Sequence, residues 1–220
     1  MNLRKAILVG IFVLFGSSAY AQDTQKVEIF GGFSYLRFNP TLSYLKNRSF
    51  NGGGGGVQYN FTKHFGIKGE FMGYGSTNFT IPAGTYNIPK LSPNPIVLNA
   101  PITTQGNMFT YQFGPVVRVP LSRVTPFGEV LFGGSNSNGY ANQIKAICNN
   151  FTCTTAGTNA SGTQHPFTMT VGGGLDIKLS THFSLRPVEI DYVLTRYTNP
   201  LTSTNNQNSF RYAAGAVFHF

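Results

Sequence analysis

The sequence predicts an all-β fold, an eight-stranded antiparallel up-and-down β-barrel that spans a membrane. Residues 210–220 alternate between an apolar or aromatic set and a small or polar set, which is the period of a strand with two different faces. Charged residues make up 10% of the chain and aromatic residues 14%, whereas soluble domains carry ~25% charged residues. The expected connections alternate between tight turns and long polar loops, an arrangement typical of outer-membrane barrels.

The N-terminus has the pattern of a secretory signal peptide. Arg4 and Lys5 precede an apolar run at 6–16, and Ala19 and Ala21 form an A-x-A cleavage site. The run is too short for a membrane anchor, which must cross ~30 Å at ~1.5 Å per residue. We therefore expect a signal peptide at 1–21 and a mature barrel domain at 22–220, exported through the inner membrane.

Turn residues and alternation divide the mature chain into eight predicted strands. They lie at 27–38, 53–61, 65–75, 107–119, 124–134, 167–179, 183–197 and 209–220. Each is close to the ~9–11 residues that a tilted strand needs to cross a bilayer. We expect the tight turns at 62–64, 120–123 and 180–182 to face the periplasm and the long loops to face outside.

Two predicted strands carry local irregularities. Pro187 predicts a bulge in the seventh strand, because proline cannot donate to a sheet ladder. Five consecutive glycines at 52–56 leave the register of the second strand open.

The charged residues of the strands are expected to meet in the lumen. An eight-stranded barrel is just wide enough to be filled by side chains, and buried charges must be paired. We predict a luminal network of the acids Glu28, Glu70, Glu129, Asp176, Glu189 and Asp191 with the bases Lys68, Arg118, Lys178, Arg186 and Arg211. Such a network would either plug the lumen or gate an ion pathway by exchanging partners.

The histidines do not form a recognisable catalytic or metal-binding pattern. His64 and His182 lie in predicted tight turns and His219 lies at the same rim, while His165 stands alone in a loop without an adjacent acid. The glycine run lacks the lysine and hydroxyl residue of a phosphate-binding loop. We therefore predict no catalytic, metal-binding or cofactor-binding residues, and no enzyme activity.

The cysteines and the net charge indicate an exported surface protein. Cys148 and Cys153 lie in a polar stretch and are expected to form a local disulfide. The net charge is +9, but lysines and arginines are spread singly, which argues against a nucleic-acid partner. Positive charge fits contact with anionic lipid head groups.

The C-terminal segment Gly215-Ala-Val-Phe218-His-Phe220 resembles the β-signal that the barrel-assembly machinery recognises. Ala213 departs from that pattern, which usually has a polar residue there. The whole mature chain resembles, in architecture, the OmpA-type transmembrane domain and related small outer-membrane barrels of Gram-negative bacteria. The resemblance implies outer-membrane lipid, lipopolysaccharide and the assembly machinery as partners, and Gly215, Phe218 and Phe220 as the assembly signal.

The expected function follows from this architecture. We predict a structural or surface-interaction role, with any ligand of the loops unidentified. The alternatives are a narrow, porin-like pore for small solutes or ions, and an outer-membrane lipid-modifying enzyme.

Overall fold

The computed structural model describes residues 26–39, 48–88, 91–154, 165–196 and 206–220. In these residues eight antiparallel strands close into a barrel, which confirms the predicted fold class. The predicted signal peptide at 1–21 lies outside the described residues. Among the described residues, no helix is long and apolar enough to cross a membrane.

The barrel has up-and-down topology. Its strands are β1 (Val27–Phe38), β2 (Arg48–Asn60), β3 (Phe65–Ile81), β6 (Ile102–Arg118), β7 (Val124–Ser137), β8 (Phe167–Lys178), β9 (Phe183–Arg196) and β10 (Asn206–His219). A hairpin of β4 (Gly84–Tyr86) with β5 (Ile96–Leu98) and the helix α1 (Gly139–Cys148) lie in the long connections. Each barrel strand pairs with its neighbour in the chain, and β10 pairs with β1 to close the sheet.

Several strands are longer than the sequence predicted. β2 begins at 48 rather than 53, β3 ends at 81 rather than 75, β6 begins at 102 rather than 107, and β7 ends at 137 rather than 134. The extra length is paired across strands, as in Leu36 opposite Phe50 and Ile81 opposite Ile102. Cross-strand partners that the local sequence does not show therefore extend the ladder.

The predicted alternation of faces determines what each strand presents to lipid. Large apolar side chains such as Phe71, Phe113 and Phe218 point outward and are 59%, 63% and 49% exposed. Such exposure suits hydrocarbon rather than water, since soluble proteins rarely expose large contiguous apolar patches.

The predicted bulge at Pro187 is confirmed by the register of both neighbours of β9. Leu175 lies opposite Val188 and Ile177 opposite Leu185, so β9 carries one extra residue there. The same shift occurs against β10, between Ala213 and Gly215. The bulge changes the phase of β9, and consequently Arg186 and Glu189 both point into the lumen.

The glycine run of β2 lies in one continuous register with both β1 and β3. A Cβ atom on Gly54 would lie 2.0 Å from the carbonyl oxygen of Phe71, and one on Gly52 would lie 2.1 Å from that of Gly73. The backbones thus approach too closely for side chains, which leaves room inside for Met72 and Tyr74.

Candidate functional site

The luminal charges form two groups, one at mid-height and one near the tight turns. The central cluster comprises Lys68, Glu70, Glu129, Asp176, Arg186, Glu189, Asp191 and Arg211, all at most 3% exposed. These residues come from β3, β7, β8, β9 and β10, whose inward positions recur at every second residue. The structure therefore brings together residues up to 143 positions apart in the chain, as with Lys68 and Arg211.

The ammonium of Lys68 lies among three carboxylates. Its Nζ is 2.7 Å from Glu70 Oε2, 3.0 Å from Glu129 Oε2 and 3.4 Å from Glu189 Oε1. The three carboxylates each offer an oxygen within 4.8 Å of the others, a spacing that could hold a metal ion. Lys68 supplies the positive charge that such an ion would bring, so the trio is better described as an ion-pair site.

Arg211 of β10 contacts acids from β3, β7 and β9. Its Nε is 2.7 Å from Asp191 Oδ2 and its Nη2 is 3.1 Å from Glu189 Oε1, while Nη1 donates to Glu70. Glu129 lies 3.8 Å from Nη2. A guanidinium with donors in several directions can satisfy several acids at once, as buried carboxylates require.

Arg186 is fixed in one plane. Its Nε and Nη2 donate to the two oxygens of Asp176 over 2.7 and 3.0 Å, and its Nη1 donates to Glu189 Oε2 over 2.8 Å. The guanidinium carbon also lies 4.7 Å from the ring centre of Phe30 and 4.1 Å from that of Phe127. Bidentate pairing and cation–π stacking together leave this side chain little freedom.

The turn-side cluster comprises Glu28, Asn60, Arg118, Ser184 and His219. Glu28 Oε1 receives Arg118 Nη1 at 2.5 Å and Asn60 Nδ2 at 3.1 Å, and lies 3.2 Å from His219 Nδ1. His219 Nε2 is 2.8 Å from Ser184 Oγ. The sequence predicts His219 at the rim only. In the structure its ring is buried, because it shares the inward phase of Arg211 in β10.

Lys178 does not join either cluster, and the prediction that placed it in the network was wrong. It is the last residue of β8 and is exposed at the rim. Asp176, the acid closest to it in sequence, is already held by two hydrogen bonds from Arg186. Among the described residues, six buried carboxyl groups therefore share the lumen with four buried lysine or arginine side chains.

Between the two clusters lies a small cavity of about 10 Å³, roughly the space of one water molecule. It is lined by Glu28, Phe30, Gly56, Gln58, Lys68, Arg186 and Val217. Further toward the loops, Thr170 donates to Gln112 over 2.8 Å, and the hydroxyls of Ser34 and Tyr74 lie 3.1 Å apart. Polar contacts thus continue above the central cluster.

An apolar cap covers the loop end of the barrel. Phe38 packs against Phe50, Phe79 and Tyr140 with ring centres 5.6, 6.1 and 6.2 Å apart. Ile144 of α1 is buried in the same cluster. The sequence predicts a long loop in this region, which in the structure contains α1. Apolar residues at 140, 144 and 147, at helical spacing, are the signal for this helix.

The predicted disulfide is present at the end of α1. Cys148 and Cys153 are bonded with their Cα atoms 5.4 Å apart. Just beyond, the Thr154 amide donates to the Leu91 carbonyl over 2.8 Å, which joins this segment to the connection between β3 and β6.

The predicted assembly-signal residues lie at the seam between β10 and β1. Phe218 and Phe220 point outward and are exposed. A Cβ atom on Gly215 would lie 2.2 Å from the carbonyl oxygen of Gly31, so only glycine fits this seam without a shift.

The chain is similar to β-barrel proteins of the bacterial outer membrane. Residues 7–220 match the model of the outer membrane protein beta-barrel domain family. Neisserial surface protein A and OprG from Pseudomonas aeruginosa each superpose with a TM-score of 0.52, at 8% and 12% identity, covering 88% and 89% of this chain and 97% and 95% of theirs. Ail, the attachment invasion locus protein of Yersinia pestis, has a TM-score of 0.48 at 14% identity and covers 89% of this chain and 98% of its own. No curated protein matches the chain in sequence.

Proposed function

This chain belongs to the outer membrane protein beta-barrel domain family, and on that premise we propose that it is a non-enzymatic surface protein with a plugged lumen. The barrel serves as an anchor in the outer membrane, and the structures on its loop rim carry a structural or surface-interaction role.

The contact between Lys68 and Glu189 is the main observation that supports a plugged lumen. β3 and β9 are four places apart in the eight-stranded barrel order, so these residues belong to opposite walls. Their charged groups are nevertheless 3.4 Å apart. Ion pairs that meet across the full width of the lumen leave no open path between them.

The energetics of buried charges favour a closed lumen. Breaking a buried ion pair by removing one partner costs about 3–5 kcal/mol. Lys68 and Arg211 each contact at least three carboxylates, so an ion entering the lumen would have to disrupt several such contacts at once.

The length of β3 and β6 supports a role at the loop side. Each strand has 17 residues, whereas ~9–11 suffice to cross a bilayer. The excess of ~6 residues extends about 20 Å at ~3.3 Å per residue. The β3–β6 hairpin therefore carries the cap beyond the bilayer, where a surface partner can reach it.

Planar-bilayer recording on the purified, refolded protein tests the plug. We expect a silent trace at neutral pH from protein whose folding is verified by the slower or faster migration of the unboiled sample on a gel. Discrete single-channel steps would overturn the plug and establish the alternative, a narrow pore for small solutes or ions. The observation that favours this alternative is the charged lining of the small cavity between the two clusters, to which Glu28, Lys68 and Arg186 contribute.

A further inference from the structure

Four basic residues lie at the rim formed by the tight turns. Lys26 precedes β1, Lys63 lies between β2 and β3, Arg123 lies between β6 and β7, and Lys178 ends β8. All four are exposed. No two are close in sequence, but the tight turns of an up-and-down barrel share one end of the molecule.

The four bases form two pairs on opposite sides of the barrel. The amide of Asn60, next to the turn that carries Lys63, donates to the Lys26 carbonyl over 2.8 Å. On the other side, the Lys178 amide donates to the Arg123 carbonyl over 2.9 Å. In the closed strand order, β1 and β2 lie opposite β7 and β8. The rim is therefore basic on two sides rather than in one compact patch.

Acidic side chains do not offset this charge. All six acids of the described residues are buried in the lumen, whereas eight basic residues of the same ranges are at least partly exposed. The outer surface of the described barrel thus carries basic but no acidic side chains. This segregation has a physical reason, because the lumen requires the acids as partners for its buried bases.

The two basic pairs lie at the level of lipid head groups. Exposed apolar side chains accompany them at the same rim: Phe61, Leu121, Leu179 and Phe220. Such side chains favour hydrocarbon, and lysine and arginine at the end of an apolar wall extend to the interface. The four bases consequently lie at the depth of the lipid phosphates.

We propose that the pairs Lys26–Lys63 and Arg123–Lys178 bind the phosphates of anionic phospholipids in the periplasmic leaflet. Short turns face the periplasm in outer-membrane barrels, and each base near an anionic membrane surface contributes to attraction. Two pairs on opposite sides suit a lipid annulus, which surrounds the barrel, better than a folded protein partner, which would contact one side. This proposal rests on the barrel in its membrane and not on the plug.

Spin-label electron paramagnetic resonance tests the proposal. The purified protein is reconstituted in phosphatidylcholine bilayers that contain trace spin-labelled phosphatidylglycerol or spin-labelled phosphatidylcholine. At low salt we expect the motionally restricted fraction to favour phosphatidylglycerol by about twofold or more, and this preference to shrink in ~0.5 M salt because screening lengths shorten.

The variant Lys26→Gln/Lys63→Gln/Arg123→Gln/Lys178→Gln is expected to lose the preference. The matched control is Arg37→Gln/Arg196→Gln, which removes two exposed arginines at the loop end of the barrel and should keep it. Heat-modifiable migration verifies that each variant is folded. Equal restriction of both lipids by the unaltered protein would overturn the proposal, as would a preference lost only in the control. Unchanged lipid preference in the quadruple variant would also overturn it.

Discussion

Lys68 and Glu189 stand on opposite walls of the barrel, yet their charged groups lie 3.4 Å apart. The lysine stem reaches inward from β3, and Glu189 reaches inward from β9 because the bulge at Pro187 has shifted the phase of that strand. A cross-lumen contact of this kind ties the two halves of the cylinder together.

Removing the Lys68 ammonium should destabilise the barrel. Lys68→Met leaves Glu70, Glu129 and Glu189 without their shared cation, so we expect the free energy of unfolding to fall by about 3–5 kcal/mol. Urea titration in detergent, followed by the loss of the folded band on an unboiled gel, measures the change. The control is Lys178→Met, an exposed lysine that should change stability by less than about 0.5 kcal/mol. Equal effects of the two variants would contradict a buried ion-pair site.

A second substitution should restore part of that stability. In Lys68→Met/Glu129→Gln, the carboxylate whose two oxygens both accept from the Lys68 ammonium becomes neutral. We expect a coupling of about 0.5–3 kcal/mol between the two sites in a double-mutant cycle, measured by the same titration. Strict additivity would mean that the two groups do not interact as their 3.0 Å separation indicates.

Gly54 of β2 and Gly31 of β1 should differ sharply in their tolerance of a side chain. Gly54→Ala would place its Cβ 2.0 Å from the Phe71 carbonyl oxygen, whereas nothing lies within 4 Å of a Cβ on Gly31. We expect the yield of refolded protein to collapse for Gly54→Ala and to stay unchanged for the matched control Gly31→Ala. The fraction of heat-modifiable protein after refolding measures both, and a well-folded Gly54→Ala variant would contradict the close approach.

The disulfide should stabilise the apolar cap at the loop end and not the barrel. Cys148→Ser/Cys153→Ser opens a short loop, and the chain-entropy model assigns such a closure about 2 kcal/mol. We expect faster proteinase K cleavage between 139 and 153, with the barrel core and its gel shift preserved. Reduction of the unaltered protein should reproduce the pattern; loss of the gel shift in the variant would show instead that the disulfide supports the barrel.

The chain of contacts from Glu28 through His219 to Ser184 should not be catalytic, although its distances of 3.2 and 2.8 Å resemble those of a triad. Ser184 is 3% exposed and Arg118 already binds Glu28, so an acyl substrate has no approach. We expect a fluorophosphonate probe to label the unaltered protein no more than Ser184→Ala. Labelling that disappears in both Ser184→Ala and His219→Ala would reveal an enzyme.

Local patterns were sufficient for the fold, because a barrel strand is specified by properties of a few consecutive residues. Turn residues and the alternation of apolar and polar side chains together located all eight strands, and Pro187 located the bulge. Strand ends were less well predicted, since the ladder beyond 75 in β3 depends on its partner in β6.

The luminal network was only partly predictable. Inward phase identified the acids and four of the five bases, but Lys178 and His219 were misplaced. The alternation along a strand predicts whether a side chain points inward or outward, but not how far from the barrel's end it lies. Lys178 is the last residue of its strand and is exposed. His219 also lies near a strand end but is buried beside Ser184 and Glu28.

By itself, the sequence determined the fold class, the disulfide and the separation of lipid-facing from lumen-facing residues, because these depend on spacing along one chain. Only the tertiary structure decided which acid meets which base, since closure of the sheet brings opposite walls within one side-chain length. It also decided the charge of the turn rim. Lysines and arginines that are scattered singly in the sequence become two basic pairs there, because the up-and-down topology returns every tight turn to the same end.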